Sequence, residues 1–297
     1  MSTTVPTEMT PRARLTAIGI MCLASLCFIA MHGFIKTVRG DVPIGMIIWS
    51  QYTIQAVLLT TLLAPRLSRV VSTQLLGLQV LRALALMAAV SGMFIAVGLM
   101  PLADAITIGF VAPLMITAAA SWLLKEHVTR GQWLAILIGF GGVLIVIRPG
   151  SSIFDAASLV PLGAAICVAL YQTLTRPISQ AVAPVSMLYT ATIVGLVVST
   201  LALPLFWETP DLRQIGYLGA AACLGAAAHF LLIRAYHAAP ASLVAPFSYS
   251  EIVWASAIGF AAFGDVPDGA TLIGAAVLIA SGLYLLRGPR TQAARQL

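Results

Sequence analysis

An all-α integral membrane protein, with ten transmembrane helices arranged as two inverted five-helix repeats around a central cavity, is the fold class that three observations predict. The first is composition. Of 297 residues, 60% are apolar, only 9% are charged, and mean hydropathy is +1.00. An ordinary soluble domain carries about 25% charged residues, and a disordered chain needs low hydrophobicity and high charge. The second is the grouping of apolar residues into runs of about 20, enough to cross roughly 30 Å of hydrocarbon as a helix. The third is self-similarity at an offset of about 139 residues, large enough to hold five helices with their links.

Charges and prolines punctuate the runs. The first, 15–35, follows Arg12 and Arg14 and is too long for a cleavable signal peptide, which would also need a small-residue cleavage site. The next four are 44–64, 79–99, 104–124 and 131–147. The last five are 156–176, 184–206, 215–237, 241–263 and 269–286. The runs are continuous rather than alternating, which predicts helices and not barrel strands. Links as short as Met100-Pro101-Leu102-Ala103 and Ala238-Ala239-Pro240 make neighbouring helices antiparallel. Cys22, Cys27, Cys167 and Cys223 sit inside apolar runs and read as small packing residues, with neither disulfide nor zinc spacing.

The offset pairs Pro101 with Pro240, Glu126 with Asp265, Ala135-Ile136 with Gly274-Ala275, and His32 with Tyr171; with one small gap, Pro43 pairs with Pro184. The halves meet at Arg148-Pro149-Gly150-Ser151-Ser152, a helix-breaking linker. The expected organisation is a cytoplasmic tail at 1–14, a first repeat at 15–150, a second at 151–286 and a cytoplasmic tail at 287–297. Each half has five spans, an odd number, so the second enters the bilayer upside down. Inverted repeats are a feature of secondary transporters, with the substrate site between the halves near the midplane.

Orientation follows the distribution of Lys and Arg. With the N-terminus in the cytoplasm, Arg12, Arg14, Arg66, Arg69, Lys125, Arg130, Arg176, Arg287, Arg290 and Arg295 fall inside. Only Lys36, Arg39, Arg148 and Arg213 fall outside, and Arg82 and Arg234 lie within spans near the inner end. Both termini are therefore expected in the cytoplasm. The net charge of +6 is scattered at span ends, which reads as topology signals and not as a nucleic-acid surface.

Two stretches resemble the EamA-type branch of the drug/metabolite transporter superfamily. One is Leu99-Met100-Pro101-Leu102-Ala103-Asp104-Ala105 through Ala112-Pro113 to Leu124-Lys125-Glu126. The other is Ala239-Pro240-Ala241-Ser242-Leu243-Val244-Ala245-Pro246-Phe247-Ser248-Tyr249-Ser250-Glu251, closing at Gly264-Asp265. Asp265 stands where that family more often has Glu. The resemblance implies a carrier that works by alternating access around a central cavity. Within the superfamily the chain is most similar to bacterial exporters of amino acids, including aromatic ones. A carrier for another metabolite or drug, such as S-adenosylmethionine or a lipophilic cation, is the alternative.

Polar groups in hydrocarbon are costly and need a reason; the insertion scale gives about 2.5–3.5 kcal/mol for a central Asp, Lys or Arg. Glu251, about ten residues into span 9, sits near the midplane. It holds a substrate ammonium or a proton, or it is a scaffold carboxylate bonded to neighbouring helices. Ser248, Tyr249 and Trp254 flank it. His229 in span 8 is a cavity candidate, whereas Arg234 and His237 near the inner end fit snorkelling. In span 2, Gln51 and Gln55 lie one turn apart with Tyr52 beside Gln55. They read as a cavity wall or as interhelical hydrogen bonds, as do Tyr171 and Gln172 in span 6, the equivalent His32, and Tyr189 in span 7. Neutral hydrogen bonders with aromatics suit a zwitterion with a bulky apolar side chain. Pro113 and Pro246, at matching places in the two halves, are expected helix breaks that point to the binding region or give simple curvature. Trp133, Trp207 and Tyr217 read as interfacial belt residues. Small residues at Ala135, Gly139, Ala270 and Gly274 allow close helix packing, or a homodimer seam.

There is no nucleotide-binding or hydrolase motif, no metal-ligand spacing and no cofactor signature. An intramembrane enzyme would need an acidic partner for Glu251, and Asp104 is near a span end. A channel would need charged rings or a repeated filter. The expectation is therefore a non-enzymatic carrier, monomer or homodimer, in the bilayer with a small-molecule substrate.

Overall fold

The structure, a computed structural model, describes residues 10–123, 128–149, 156–239 and 241–287. Its regular structure is all helical, with no strand among these residues. Helix α1 (Pro11–Val38) starts under Thr10, whose hydroxyl accepts from Ala13 N–H, with Pro11 at the first position where no N–H is needed. Then come α2 (Ile44–Leu63) and α3 (Leu76–Leu99). Helix α4 runs in two pieces, Leu102–Gly109 and Ala112–Leu123. Capping boxes open α5 (Arg130–Ile147), from Thr129 and Gln132, and α8 (Leu212–Ala238), from Asp211 and Gln214. Between them lie α6 (Leu159–Ser179) and α7 (Pro184–Ala202). Helix α10 (Gly269–Arg287) closes the bundle.

The ninth segment, expected as one span over 241–263 with a break at Pro246, is divided further. Here α9 consists of Ala241–Val244, a 3-10 stretch Ala245–Tyr249, then Ser250–Ile258, and a π-helical turn Gly259–Phe263. Pro246 sits at the start of the 3-10 piece, where its missing N–H costs nothing. In α4 the break falls at Phe110 and Val111. Pro113 lies in the first turn of the second piece, and its missing N–H cannot serve the carbonyl of Gly109, four residues earlier, where the first piece ends. Eight stretches among the described residues are long and apolar enough to cross a bilayer; α10 is a shorter apolar helix and α9 is fragmented. Glu126, Pro240, Gly150 and both far tails, invoked for the repeat and the linker, lie outside the described residues.

The largest helix pairings map onto one another when helix n is exchanged for helix n+5, with α1·α3 and α4·α10 standing outside the pattern. The α1·α8 contact mirrors α3·α6, α2·α8 mirrors α3·α7, and α1·α9 mirrors α4·α6; α2·α7, α4·α9 and α5·α10 mirror themselves. Two inverted five-helix repeats produce this exchange. At the α4·α9 crossing Phe110 stacks on Tyr249, 139 residues later, with ring centroids 4.9 Å apart. At α5·α10 a Cβ on Gly142 would sit 3.0 Å from the Gly274 carbonyl oxygen, so the absence of a side chain sets the approach. Gly139, too, faces Leu114 and Ser281 of the same chain.

Candidate functional site: a central cavity closed at one end

The near end is taken as the one where α1 begins, and the far end as the one where it finishes. A cavity of about 860 Å³ runs from the middle of the bundle, at Phe28, His32 and Phe94, to the near end at Leu62, Leu63, Val185 and Ile233. Its walls come from α1, α2, α3, α6, α7 and α8, with Gly109 of α4. No Asp, Glu, Lys or Arg lines it; its polar side chains are His32, Gln51, Tyr52, Gln55, Thr192 and His229.

Glycines set this polar patch. Gln51, 5% exposed, points its amide toward Met31 Sδ at 3.8 Å, into space that a Cβ on Gly225 of α8 would occupy. The buried Tyr52 ring fills the equivalent space beside Gly195 of α7. Gln55 follows Gln51 by one turn and stays half-buried. His229 Nδ1 lies 2.8 Å from the Gly225 carbonyl oxygen, and its ring meets Phe28 edge-on at 4.9 Å. His32 meets Phe94 edge-on at 5.9 Å. Imidazoles, amides and a phenol framed by aromatic rings can hydrogen-bond a planar solute and stack on it without supplying a formal charge.

The other expected pathway residues lie outside the lining. Tyr249 is taken up by its stack on Phe110. The Ser248 hydroxyl donates to the Ala245 carbonyl in its own turn, at 2.8 Å. Glu251 begins the third piece of α9, within electrostatic reach of Tyr236 on α8. Trp254 packs against the main core cluster, and its indole N–H has no hydrogen-bond partner among the described residues. Gln172 is exposed on the outside of α6. The Tyr189 hydroxyl stands 3.5 Å from that of Thr60, joining α7 to α2. Arg234 and His237 are exposed, as snorkelling predicts.

Tyr171 has a different task, and it involves a residue the sequence did not single out. Arg82 of α3 is 5% exposed rather than snorkelling. Its guanidinium donates to the Tyr171 hydroxyl at 2.9 Å, the Thr175 hydroxyl at 2.7 Å and the Met187 carbonyl at 3.2 Å, and lies 4.4 Å above the Tyr171 ring. One cation thus ties α3 to α6 and α7. Among the described residues it has no carboxylate within ion-pair distance. The ion pairs lie at the far end instead: Lys36 with Asp265, and Arg148 with Asp268, beside a 2.6 Å bond from the Thr271 hydroxyl to Asp104. No group of three or more His, Cys, Asp or Glu among the described residues could hold a metal ion.

A bundle of apolar helices with exchange-related halves and an internal, mostly apolar cavity fits a multi-span membrane transport protein. The chain belongs to the EamA-like transporter family, whose pattern residues 156–287 match. It is 28% identical, over 70% of its own length and 71% of the relative's, to an S-adenosylmethionine uptake transporter of Rickettsia bellii. It is 30% identical to a riboflavin transporter of Vibrio cholerae over 66% of each chain. A pseudopaline exporter of Pseudomonas aeruginosa is 27% identical over 89% of this chain and 94% of its own. A solved crystal structure shares the fold, covering 90% of this chain and 95% of its own with a TM-score of 0.63 and 19% identity.

Proposed function

We propose that the protein is a secondary carrier that moves an uncharged, planar, heteroaromatic metabolite through the central cavity by alternating access. Residues 15–150 and 151–286 form its two inverted repeats, and both termini are cytoplasmic in a bacterial inner membrane. The observation that carries the reading is the charge-free lining of a cavity of about 860 Å³, in the upper part of the roughly 300–1,000 Å³ typical of sites for drug-sized ligands. A lining without carboxylate or cation favours a solute that brings no net charge. The relative named for riboflavin supports a neutral substrate of that size, whereas S-adenosylmethionine, named for another relative, is a sulfonium cation and its exchange would overturn the uncharged reading. A second reading, export of aromatic amino acids, draws on Gln51, Tyr52 and Gln55. These three would hold a zwitterionic head group while the apolar walls take the ring.

Counterflow in proteoliposomes separates the two. Labelled riboflavin, S-adenosylmethionine, tryptophan and leucine are exchanged against the same unlabelled solute. Exchange of riboflavin without the amino acids supports the first reading. Exchange of tryptophan alone replaces it with the second, and exchange of none overturns both.

A further inference from the structure

We propose that Lys36 and Asp265 form the far-end gate of the pathway, a latch that must part when the cavity opens to that side. Lys36 follows His32 by one turn of α1, so it continues the cavity-lining stripe toward the far end. Its ammonium donates to Asp265 at 2.6 Å and to the Met100 carbonyl at 3.0 Å, and lies 5.0 Å from the centre of the Phe263 ring. Asp265 also accepts from Leu102 N–H at 3.3 Å. The latch therefore joins α1 and the α3–α4 link of the first half to the end of α9 in the second.

Backbone geometry sets it. Gly264, at φ +71°, turns the chain out of the π-helical turn, and Asp265 N–H closes on the Gly259 carbonyl. Each charge also has a helix end to suit it: Asp265 faces the N-terminus of α4, and Lys36 the C-terminal carbonyl of α3. The side chains are only 16% and 20% exposed. The other far-end ties, Arg148–Asp268 and Asp104–Thr271, involve α4, α5 and α10. Neither α5 nor α10 lines the cavity, whereas the Lys36–Asp265 pair is carried on α1, which does. The proposal rests on the carrier reading, but its test needs no solute.

Cys223 lines the cavity and reports access once Cys22, Cys27 and Cys167 are replaced by Ala. An impermeant maleimide is applied to each face of reconstituted vesicles in turn. In this background Cys223 labels fast from one face and slowly from the other. Lys36→Met and Asp265→Asn, the second of which keeps an acceptor for Leu102 N–H, each raise the slow-face rate about five- to tenfold. The exchange Lys36→Asp with Asp265→Lys returns it toward the starting rate. Unchanged slow-face labelling in both single variants overturns the gate, as does an exchange variant that labels as fast as the singles. Failed counterflow with intact labelling changes would count against the carrier reading alone.

Discussion

The α3·α6 and α1·α8 pairs occupy equivalent places in the bundle, yet they are built from opposite chemistry. Across the 139-residue offset, Arg82 corresponds to Ala221 and Tyr171 to His32. On the α3·α6 wall the arginine and tyrosine consume each other's hydrogen bonds and lock three helices together. On the α1·α8 wall the arginine is replaced by a buried alanine, among Ala222, Gly225 and Ala228. Close packing does the holding there, and His32 is left facing the cavity. Repetition decides where side chains stand. Divergence then makes one wall a clasp and the other a lining.

The comparison can be broken outright by writing the clasp onto the wrong wall. Ala221→Arg forces a long cationic side chain into a buried, closely packed position, and buried charge and overpacking are among the most destabilising changes known. We expect no monodisperse protein on size-exclusion chromatography. Removing the clasp should come next. Arg82→Met loses hydrogen bonds to three partners and leaves the Tyr171 and Thr175 hydroxyls without a donor. We expect a cost of about 2–4 kcal/mol, read as a lower midpoint in thermal denaturation of the solubilised protein. Gly195→Ala tests the glycine-made patch by pushing into the Tyr52 ring; overpacking of this kind costs about 1–3 kcal/mol and should weaken substrate exchange as well.

Gln55→Leu should sharpen the contrast, because it alters a lining and not a tie. Thermal stability should change little while the half-saturation concentration in counterflow rises. A fall in stability equal to that of Arg82→Met would erase the distinction. The smallest effect lies outside the bundle core. Asp268 accepts from Thr271 N–H and pairs with Arg148, and these interactions hold its carboxyl below the ordinary value of 3.8. A lowered folded-state value means the stabilisation is present above about pH 4 and is lost as the pH falls through that lowered value. Asp268→Asn should therefore narrow the stability difference between neutral and acid pH slightly, in acid-titrated thermal melts.

Much of the molecule was legible beforehand, for identifiable reasons. The apolar runs end at real helix ends because charges such as Arg130 and Arg148 cannot stay in hydrocarbon. His32, Gln51, Tyr52, Gln55 and His229 line the cavity, being polar groups at depths where only an internal surface tolerates them. Tyr249, Ser248 and Tyr171 met the same criterion and went elsewhere: Tyr249 stacks on Phe110, Ser248 bonds within its own turn, and Tyr171 accepts from Arg82. Lys36 looked like a topology signal on the wrong side; its partner lies 229 residues away. The interruption of α9 beside Pro246 falls where a break was expected, whereas its π-helical turn was hidden because Gly259 is compatible with either a bent or a broken helix.

By itself the sequence determined that this chain lives in a bilayer, how many helical segments it has, and that its halves repeat. Those properties follow from hydropathy and spacing, which are local sums along the chain. Only the tertiary structure decided which polar groups meet, which face the cavity and which end is latched. A helix offers each polar side chain several possible neighbours, and its rotation about its own axis is set by the packing of every other helix against it.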